Sequence, residues 1–236
     1  MYKRIQVLED RGQNSCFLWG PRQTGKSTLL RQLFPQAPYY DLLLGEEFER
    51  LNRTPGLLRE ELLALPQQPM VVIIDEVQKI PQLLDEIQWL IVHTTIHFIL
   101  CGSSARKLKH HGANLLGGRA LRYELYPLVS KEIPEFDLVR AINHGLIPRH
   151  YLSDQPQRLL QAYVGDYLQQ EIAQEALTRR VPTFAHFLDV AALSNGEQLN
   201  YQNIARECGI SGPTVKEYFQ ILYDTLIAYE LPAYQK

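Results

Sequence analysis

The stretch Gly20-Pro21-Arg22-Gln23-Thr24-Gly25-Lys26-Ser27 decides how the rest of this chain is interpreted. It fits the phosphate-loop pattern of a glycine, four free positions, a second glycine, a lysine and a serine or threonine. Backbone N–H groups can wrap a triphosphate only where no Cβ collides with the phosphate oxygens, and Gly20 and Gly25 supply that clearance. The stretch therefore predicts a nucleotide-phosphate site.

The last residues of the loop suit a magnesium-bound triphosphate. Lys26 is expected to reach the β- and γ-phosphates, Ser27 to ligate Mg²⁺, and the helix that follows to point its positive end at the anion. A buried strand is predicted at 16–19 and a helix after the loop, whereas the alternative is a Gly-rich turn with a solvated lysine. The predicted ATP-binding residues are Gly20, Pro21, Arg22, Gln23, Thr24, Gly25, Lys26, Ser27 and Thr28.

A second motif follows in the β-branched run 70–74, which ends in Asp75 and Glu76. A continuous apolar run is typical of a central parallel strand, and an α/β sheet binds its ligands at the carboxyl ends of its strands. We interpret the run as a Walker B segment, in which Asp75 holds Mg²⁺ and Glu76 polarises the attacking water. The alternative is a strand that ends in two solvated acids.

Two further positions are candidates for contact with the γ-phosphate. The predicted strand 97–101 is followed by Ser103 and Ser104; either serine is placed to sense the phosphate, and either also suits a helix N-cap. Arg119 follows two glycines and precedes a predicted strand at 121–125. It is either an arginine finger, which requires assembly into a homo-oligomer if it acts between subunits, or a surface or salt-bridged arginine.

The order of these elements predicts an α/β fold, a three-layer P-loop NTPase with a parallel sheet, followed by an all-helical segment with a winged helix-turn-helix. We expect the ATPase core at residues 1–135, a helical linker or lid at 136–195 and the winged helix-turn-helix at 196–236. Asn195-Gly196 and prolines at 148, 156 and 182 punctuate the helical part.

The composition is that of an ordinary globular protein, with 236 residues, 45% hydrophobic and 21% charged, and a formal net charge of −2. This balance offers no general attraction to nucleic acid or to an anionic membrane. The three cysteines are far apart and form no C-x-x-C pair, so neither zinc nor a disulfide framework is predicted. Without a signal peptide or a long apolar stretch, the sequence predicts a cytoplasmic protein with no membrane partner.

Residues 201–223 have the pattern of a helix-turn-helix. A helix is predicted at 202–208, a turn at 209–212, and a second helix that begins at Pro213. DNA binding and a structural or protein-contacting role stay open, because acidic residues offset the few basic ones and leave no basic footprint. Residues 227–231 are expected to form the first strand of a wing whose return strand is missing.

Five stretches together resemble a known family. FLWGPRQTGKSTLL, VVIIDEVQKIP, ILCGSSARKL, GGRA and LNYQNIARECGISGPTVKEYFQILYDTLIAYELPAY are similar to prokaryotic AAA-type P-loop ATPases that join an ATPase core to a winged helix and a domain of unknown, nuclease-like function. By this resemblance Gly20, Gly25, Lys26 and Ser27 bind ATP, Asp75 and Glu76 are catalytic, Ser103 senses phosphate and Arg119 matches the family's GRA arginine. It also implies a further domain after residue 236.

The leading functional hypothesis is an ATPase that hydrolyses ATP with Mg²⁺ and passes its nucleotide state to the winged helix. The second is a nucleotide-gated DNA-binding regulator with little or no hydrolysis. A protein-interaction module with a vestigial phosphate loop is disfavoured, since Lys26, Ser27, Asp75 and Glu76 are all present.

Overall fold

The computed structural model describes residues 2–5, 8, 13–104, 106, 108, 116–168 and 181–233. The chain divides into two compact units, Met1–Leu152 and Ser153–Lys236. Each unit has its own core. The domain boundaries predicted after residues 135 and 195 stay predictions.

The first unit is built on a five-stranded parallel sheet. Its strands are β1 (Cys16–Trp19), β2 (Tyr39–Asp41), β3 (Val71–Asp75), β4 (His97–Gly102) and β5 (Leu121–Glu124), in the order β2-β3-β4-β1-β5. Strand β4 separates the strand before the phosphate loop from the strand that ends in Asp75, so the predicted P-loop fold with an intervening strand is confirmed. The burial of every residue in β1 and β3 explains their continuous apolar sequence.

Helices connect the strands, and the first of them is the helix predicted after the phosphate loop. They are α1 (Lys26–Leu33), α2 (Gly45–Arg53), α3 (Leu57–Ala64) and α4 (Leu83–His93), followed by Leu138–His144 and Pro148–Leu152, with short 3₁₀ turns at Val77–Lys79, Leu116–Gly118 and Ser130–Glu132. Leu29 and Leu30 of α1 pack with strand residues such as Leu18, Ile73 and Ile99 in one buried cluster. This packing fixes α1 directly behind the phosphate loop.

The sheet order brings the predicted site residues to one edge. The register pairs Trp19 with Gly102 and Asp75 with Cys101, so β1, β3 and β4 end side by side. All strands are parallel, and therefore the segments that leave them begin at the same carboxyl edge. Gly20, Glu76 and Ser103 each follow one of these strand ends.

The second unit is helical in its described part. It contains the helices Pro156–Ala162, Val181–Leu193, Tyr201–Cys208 and Gly212–Asp224, and a π-helical turn at Tyr163–Leu168. The helix pair at 201–224 confirms the predicted helix–turn–helix path. Asn200 caps the first helix, Gly209 ends it with a φ of 64°, and Ser211 caps the second.

The predicted wing strand at 227–231 is wrong for this structure, because these residues belong to no strand. A strand needs a neighbouring strand that satisfies its N–H and C=O groups, and among the described residues none forms a ladder with this segment. The N–H groups of Ile227 and Ala228 donate instead to the Leu222 carbonyl at the end of the preceding helix. The winged form of the motif therefore has no support among the described residues. None of the helices described is both long enough and apolar enough to cross a bilayer.

Candidate nucleotide-binding site

The phosphate loop is shaped by its two glycines and a tight approach to the sheet. The Gly20 N–H donates to the carbonyl of Gly102 at 3.3 Å, and a Cβ at Gly20 would lie 2.3 Å from the Leu125 carbonyl oxygen. Gly25 has a φ of 94°, a conformation that side chains with a Cβ rarely adopt. The sequence predicts clearance for phosphate at both glycines; in the structure, the approach to the Leu125 carbonyl also requires glycine at position 20, and the backbone angle favours it at position 25.

Lys26 lies inside the loop, 6% exposed. Its ammonium donates to the carbonyl oxygens of Gly20 at 2.8 Å and Pro21 at 3.0 Å, while the Thr24 hydroxyl donates to the same Pro21 oxygen at 2.9 Å. These bonds compensate the burial of the charge. They keep a cation at the centre of a loop whose backbone encircles it, which is an arrangement suited to a polyphosphate.

Asp75 accepts hydrogen bonds from three directions. The Ser27 hydroxyl donates at 2.6 Å and the Glu76 N–H at 3.1 Å, and the Tyr39 hydroxyl donates to the oxygen that Ser27 contacts. The two residues predicted to ligate Mg²⁺, Ser27 and Asp75, are therefore in direct contact. Hydroxyl and carboxylate oxygens are the hard ligands that Mg²⁺ prefers, so this donor set fits the ion.

Sequence reasoning did not single out Tyr39, which lies in β2. Burial raises the pKa of Tyr39, and its bond to Asp75 raises that pKa further, so the hydroxyl stays protonated and donates. The Arg31 guanidinium lies 4.0 Å from the centre of the Tyr39 ring. The contact depends on the parallel pairing of β2 with β3, which places Tyr39 beside the Walker B strand.

Glu76 begins the turn that leaves β3. Its φ of 60° is unusual for a residue with a side chain, and the residue is only 9% exposed. Burial raises the pKa of Glu76; the nearby Lys26 ammonium lowers it, and the Asp75 carboxylate raises it. A raised pKa makes the carboxylate a stronger base, as activation of a water molecule requires.

The two serines after β4 have different surroundings. The Ser104 hydroxyl accepts from the Arg106 N–H at 3.1 Å, which is the N-cap role that the sequence left open. Ser103 is buried, and its hydroxyl oxygen accepts from the Gln78 side-chain amide at 3.2 Å. Of the two, Ser103 is thus the serine connected to the Walker B turn, and its phosphate-sensing role stays a prediction.

The remaining predicted residues differ in position. Pro21 is buried, Arg22 is half-buried, and Gln23 and Thr28 are exposed on the loop and on α1. Arg119 is exposed just before β5, at the amino end of that strand. The phosphate loop follows the carboxyl end of β1, so the sheet does not bring Arg119 and the loop of the same chain together.

Comparison with known proteins agrees with this description. Residues 12–134 match the family model described as an AAA domain, and residues 135–236 match a domain of unknown function, DUF8612. The uncharacterized proteins Rv2008c of Mycobacterium tuberculosis and Mb2031c of Mycobacterium bovis are each 24% identical over 220 residues, which are 91% of this chain and 48% of each relative. The chain thus spans about half the length of these curated relatives.

A solved structure shares the fold. The Walker-type ATPase paby2304 of Pyrococcus abyssi superposes with a TM-score of 0.58 at 17% identity, over 92% of this chain and 87% of that one. At this identity the likeness extends to the fold alone.

Proposed function

Because this chain belongs to the AAA-domain family, we propose that it binds ATP with Mg²⁺ and hydrolyses the bond to the γ-phosphate. The observation that supports the proposal most directly is the meeting of four side chains at one sheet edge. Lys26 lies within the phosphate loop, Ser27 donates to Asp75, and Glu76 directly follows. A phosphate loop that no longer binds nucleotide would not require these four side chains to lie together.

In the proposed binding mode the loop supplies the contacts to phosphate. The loop 20–28 wraps the phosphates with backbone N–H groups, to which Pro21 contributes none because proline lacks an N–H, and the α1 amino end adds its positive dipole. Lys26 exchanges carbonyl partners for phosphate oxygens. Ser27 and Asp75 hold Mg²⁺, which when bound neutralises charge on the phosphate oxygens.

Glu76 is the proposed general base. It accepts a proton from the attacking water as the water oxygen forms a bond to the γ-phosphorus. The bond from that phosphorus to the bridging oxygen breaks, and ADP leaves with the electron pair. The raised pKa of Glu76 and its place at the carboxyl end of β3 both suit this role.

Two substitutions test the proposal. Lys26→Ala should abolish nucleotide binding, because it removes the ammonium that lies buried inside the loop, while Glu76→Gln should keep ATP affinity and lose turnover. Calorimetric ATP titration and phosphate release measure the two effects. Glu60→Gln, on the exposed side of α3, makes the same chemical change away from the site and serves as the control.

The assignment fails if Lys26→Ala binds ATP as tightly as the unaltered protein. Normal turnover in Glu76→Gln would leave binding in place but remove Glu76 as the base.

A second candidate is a nucleotide-gated DNA-binding regulator, favoured by the helix pair Tyr201–Cys208 and Gly212–Asp224. The exposed Lys216 on the second helix is followed by Glu217, so the surface has little basic character. A gel shift that changes with ATP and weakens with salt would support this function. Coupling of the nucleotide state to this helix pair is part of the leading proposal.

A further inference from the structure

Gln78 connects two residues of the proposed site that are 27 positions apart in the sequence. It lies in the 3₁₀ turn Val77–Lys79 and is 6% exposed. Its side-chain nitrogen donates to a carboxylate oxygen of Glu76 and, at 3.2 Å, to the hydroxyl oxygen of Ser103. One amide group thus joins the end of β3 to the end of β4.

The backbone on both sides is adapted to this connection. The positive φ of Glu76 turns the chain so that Gln78 comes beside the strand end. On the opposite side, Gly102 leaves room for the amide, since a Cβ there would lie 2.2 Å from the Gln78 side-chain oxygen. A residue with a positive φ and a glycine without a Cβ therefore flank the same side chain.

The side-chain oxygen of Gln78 indicates that this residue has a role besides packing. Its side-chain oxygen is buried and has no hydrogen-bond partner among the described residues. Burial of an unpaired acceptor is unfavourable, and an apolar side chain would fill the space without that penalty. The two bonds made by the amide nitrogen are what distinguish glutamine from such a side chain.

We propose that Gln78 is a positioning residue that fixes the orientation of the Glu76 carboxylate and couples it to Ser103. This inference rests on the proposed ATPase function. One planar amide group donates to both partners. If a γ-phosphate displaces the Ser103 hydroxyl, the amide turns, and its hydrogen bond to the Glu76 carboxylate changes in direction. Gln78 itself contacts neither water nor phosphate in this scheme.

Gln78→Met tests the positioning role, because methionine has a similar length and volume and cannot donate. The kcat for ATP should fall by about 10- to 100-fold, the range for loss of an outer-sphere contact, while KM changes by less than about 3-fold. KM is expected to hold because the phosphate loop supplies the binding. Gln82→Met, the same change at an exposed position before α4, is the control and should leave both constants unchanged.

A double-mutant cycle tests the coupling to Ser103. If the two side chains act as one unit, Gln78→Met and Ser103→Ala combined should lose about as much kcat as the larger single loss. Independent roles would multiply the two losses. A multiplied loss, or a kcat unchanged by Gln78→Met, overturns the proposal.

A readout without turnover separates this inference from the ATPase proposal. When Gln78 is present, the Tm shifts of Glu76→Ala and Ser103→Ala should not add in the double variant. In the Gln78→Met background the two shifts should add, because the bridge is absent. If the unaltered protein shows no turnover, the ATPase proposal fails and the Tm cycle alone decides the bridge. If Gln78→Met does not fold, Gln78→Ala replaces it in both cycles, and additive shifts in the unaltered protein contradict the bridge.

Discussion

At the scale of single residues, the most informative group is the carboxylate of Asp75. It is 3% exposed and receives N–H and O–H donors from residues on three elements: Ser27 on α1, Tyr39 on β2 and Glu76 after β3. Such bonds fix the direction of the carboxylate. In its proposed role as an Mg²⁺ ligand, Asp75 depends on these supporting contacts for its orientation.

Tyr39→Phe should therefore weaken the response to Mg²⁺. The variant loses the hydroxyl bond to Asp75 but keeps the buried ring, so we expect the Mg²⁺ concentration for half-maximal turnover to rise by about 10-fold. Titration of phosphate release with Mg²⁺ measures this shift, and chelation of Mg²⁺ with EDTA should remove turnover in both proteins.

Tyr40→Phe is the matched control for this change. Tyr40 follows Tyr39 in β2 and is also half-buried, but its hydroxyl bonds to Glu61 on α3 instead of Asp75. An equal shift in Mg²⁺ response for both variants would assign the effect to the strand and not to Asp75.

At the scale of elements, one arginine connects the amino-terminal segment to the phosphate loop. Arg4 donates to Glu132 at 2.9 Å, to the Thr24 carbonyl at 2.6 Å and to the Tyr126 carbonyl at 2.6 Å. Glu132 in turn accepts from the Ile5 N–H at 2.7 Å. These bonds tie together the chain start, the phosphate loop and the segment after β5.

Arg4→Ala should lower the free energy of unfolding by about 3–5 kcal/mol, because it leaves the buried Glu132 carboxylate without its counter-ion. The side chains of this pair are only 8% and 3% exposed, so solvent cannot replace the lost contact. Urea unfolding followed by circular dichroism measures the change.

Lys3→Ala is the control, since Lys3 is exposed and adjacent to Arg4. A loss below about 1 kcal/mol for Arg4→Ala would place the pair among ordinary surface ion pairs and contradict the buried linkage.

At the scale of the whole molecule, the position of Arg119 decides whether this residue can contact a nucleotide bound to its own chain or only one bound to another copy. The four-residue strand β5 spans about 13 Å and separates Arg119 from the sheet edge that carries the phosphate loop. An arginine at that place can reach a γ-phosphate only if the phosphate belongs to another copy. The arginine-finger prediction therefore becomes a prediction about assembly.

If Arg119 acts between copies, Arg119→Ala should lower kcat by about 10³-fold or more, and turnover per molecule should rise with protein concentration. A mixture of Arg119→Ala and Lys26→Ala proteins should then regain activity, because some contacts pair an intact phosphate loop with an intact arginine. Phosphate release by each variant alone provides the baseline. Unchanged turnover in Arg119→Ala would assign the residue to the surface.

The sequence by itself determined the phosphate loop, the Walker B strand, the alternation of strands and helices and the helix–turn–helix path, and its resemblance to AAA-type ATPases is confirmed for residues 12–134. These features depend on local patterns such as glycine spacing, β-branched runs and capping residues, which a linear sequence displays. Only the tertiary structure decided that Tyr39 contacts Asp75, that Gln78 bridges Glu76 and Ser103, and that residues 227–231 form no strand. Each of these depends on which segments become neighbours in space, and that is set by sheet order and register instead of by any residue's own preference.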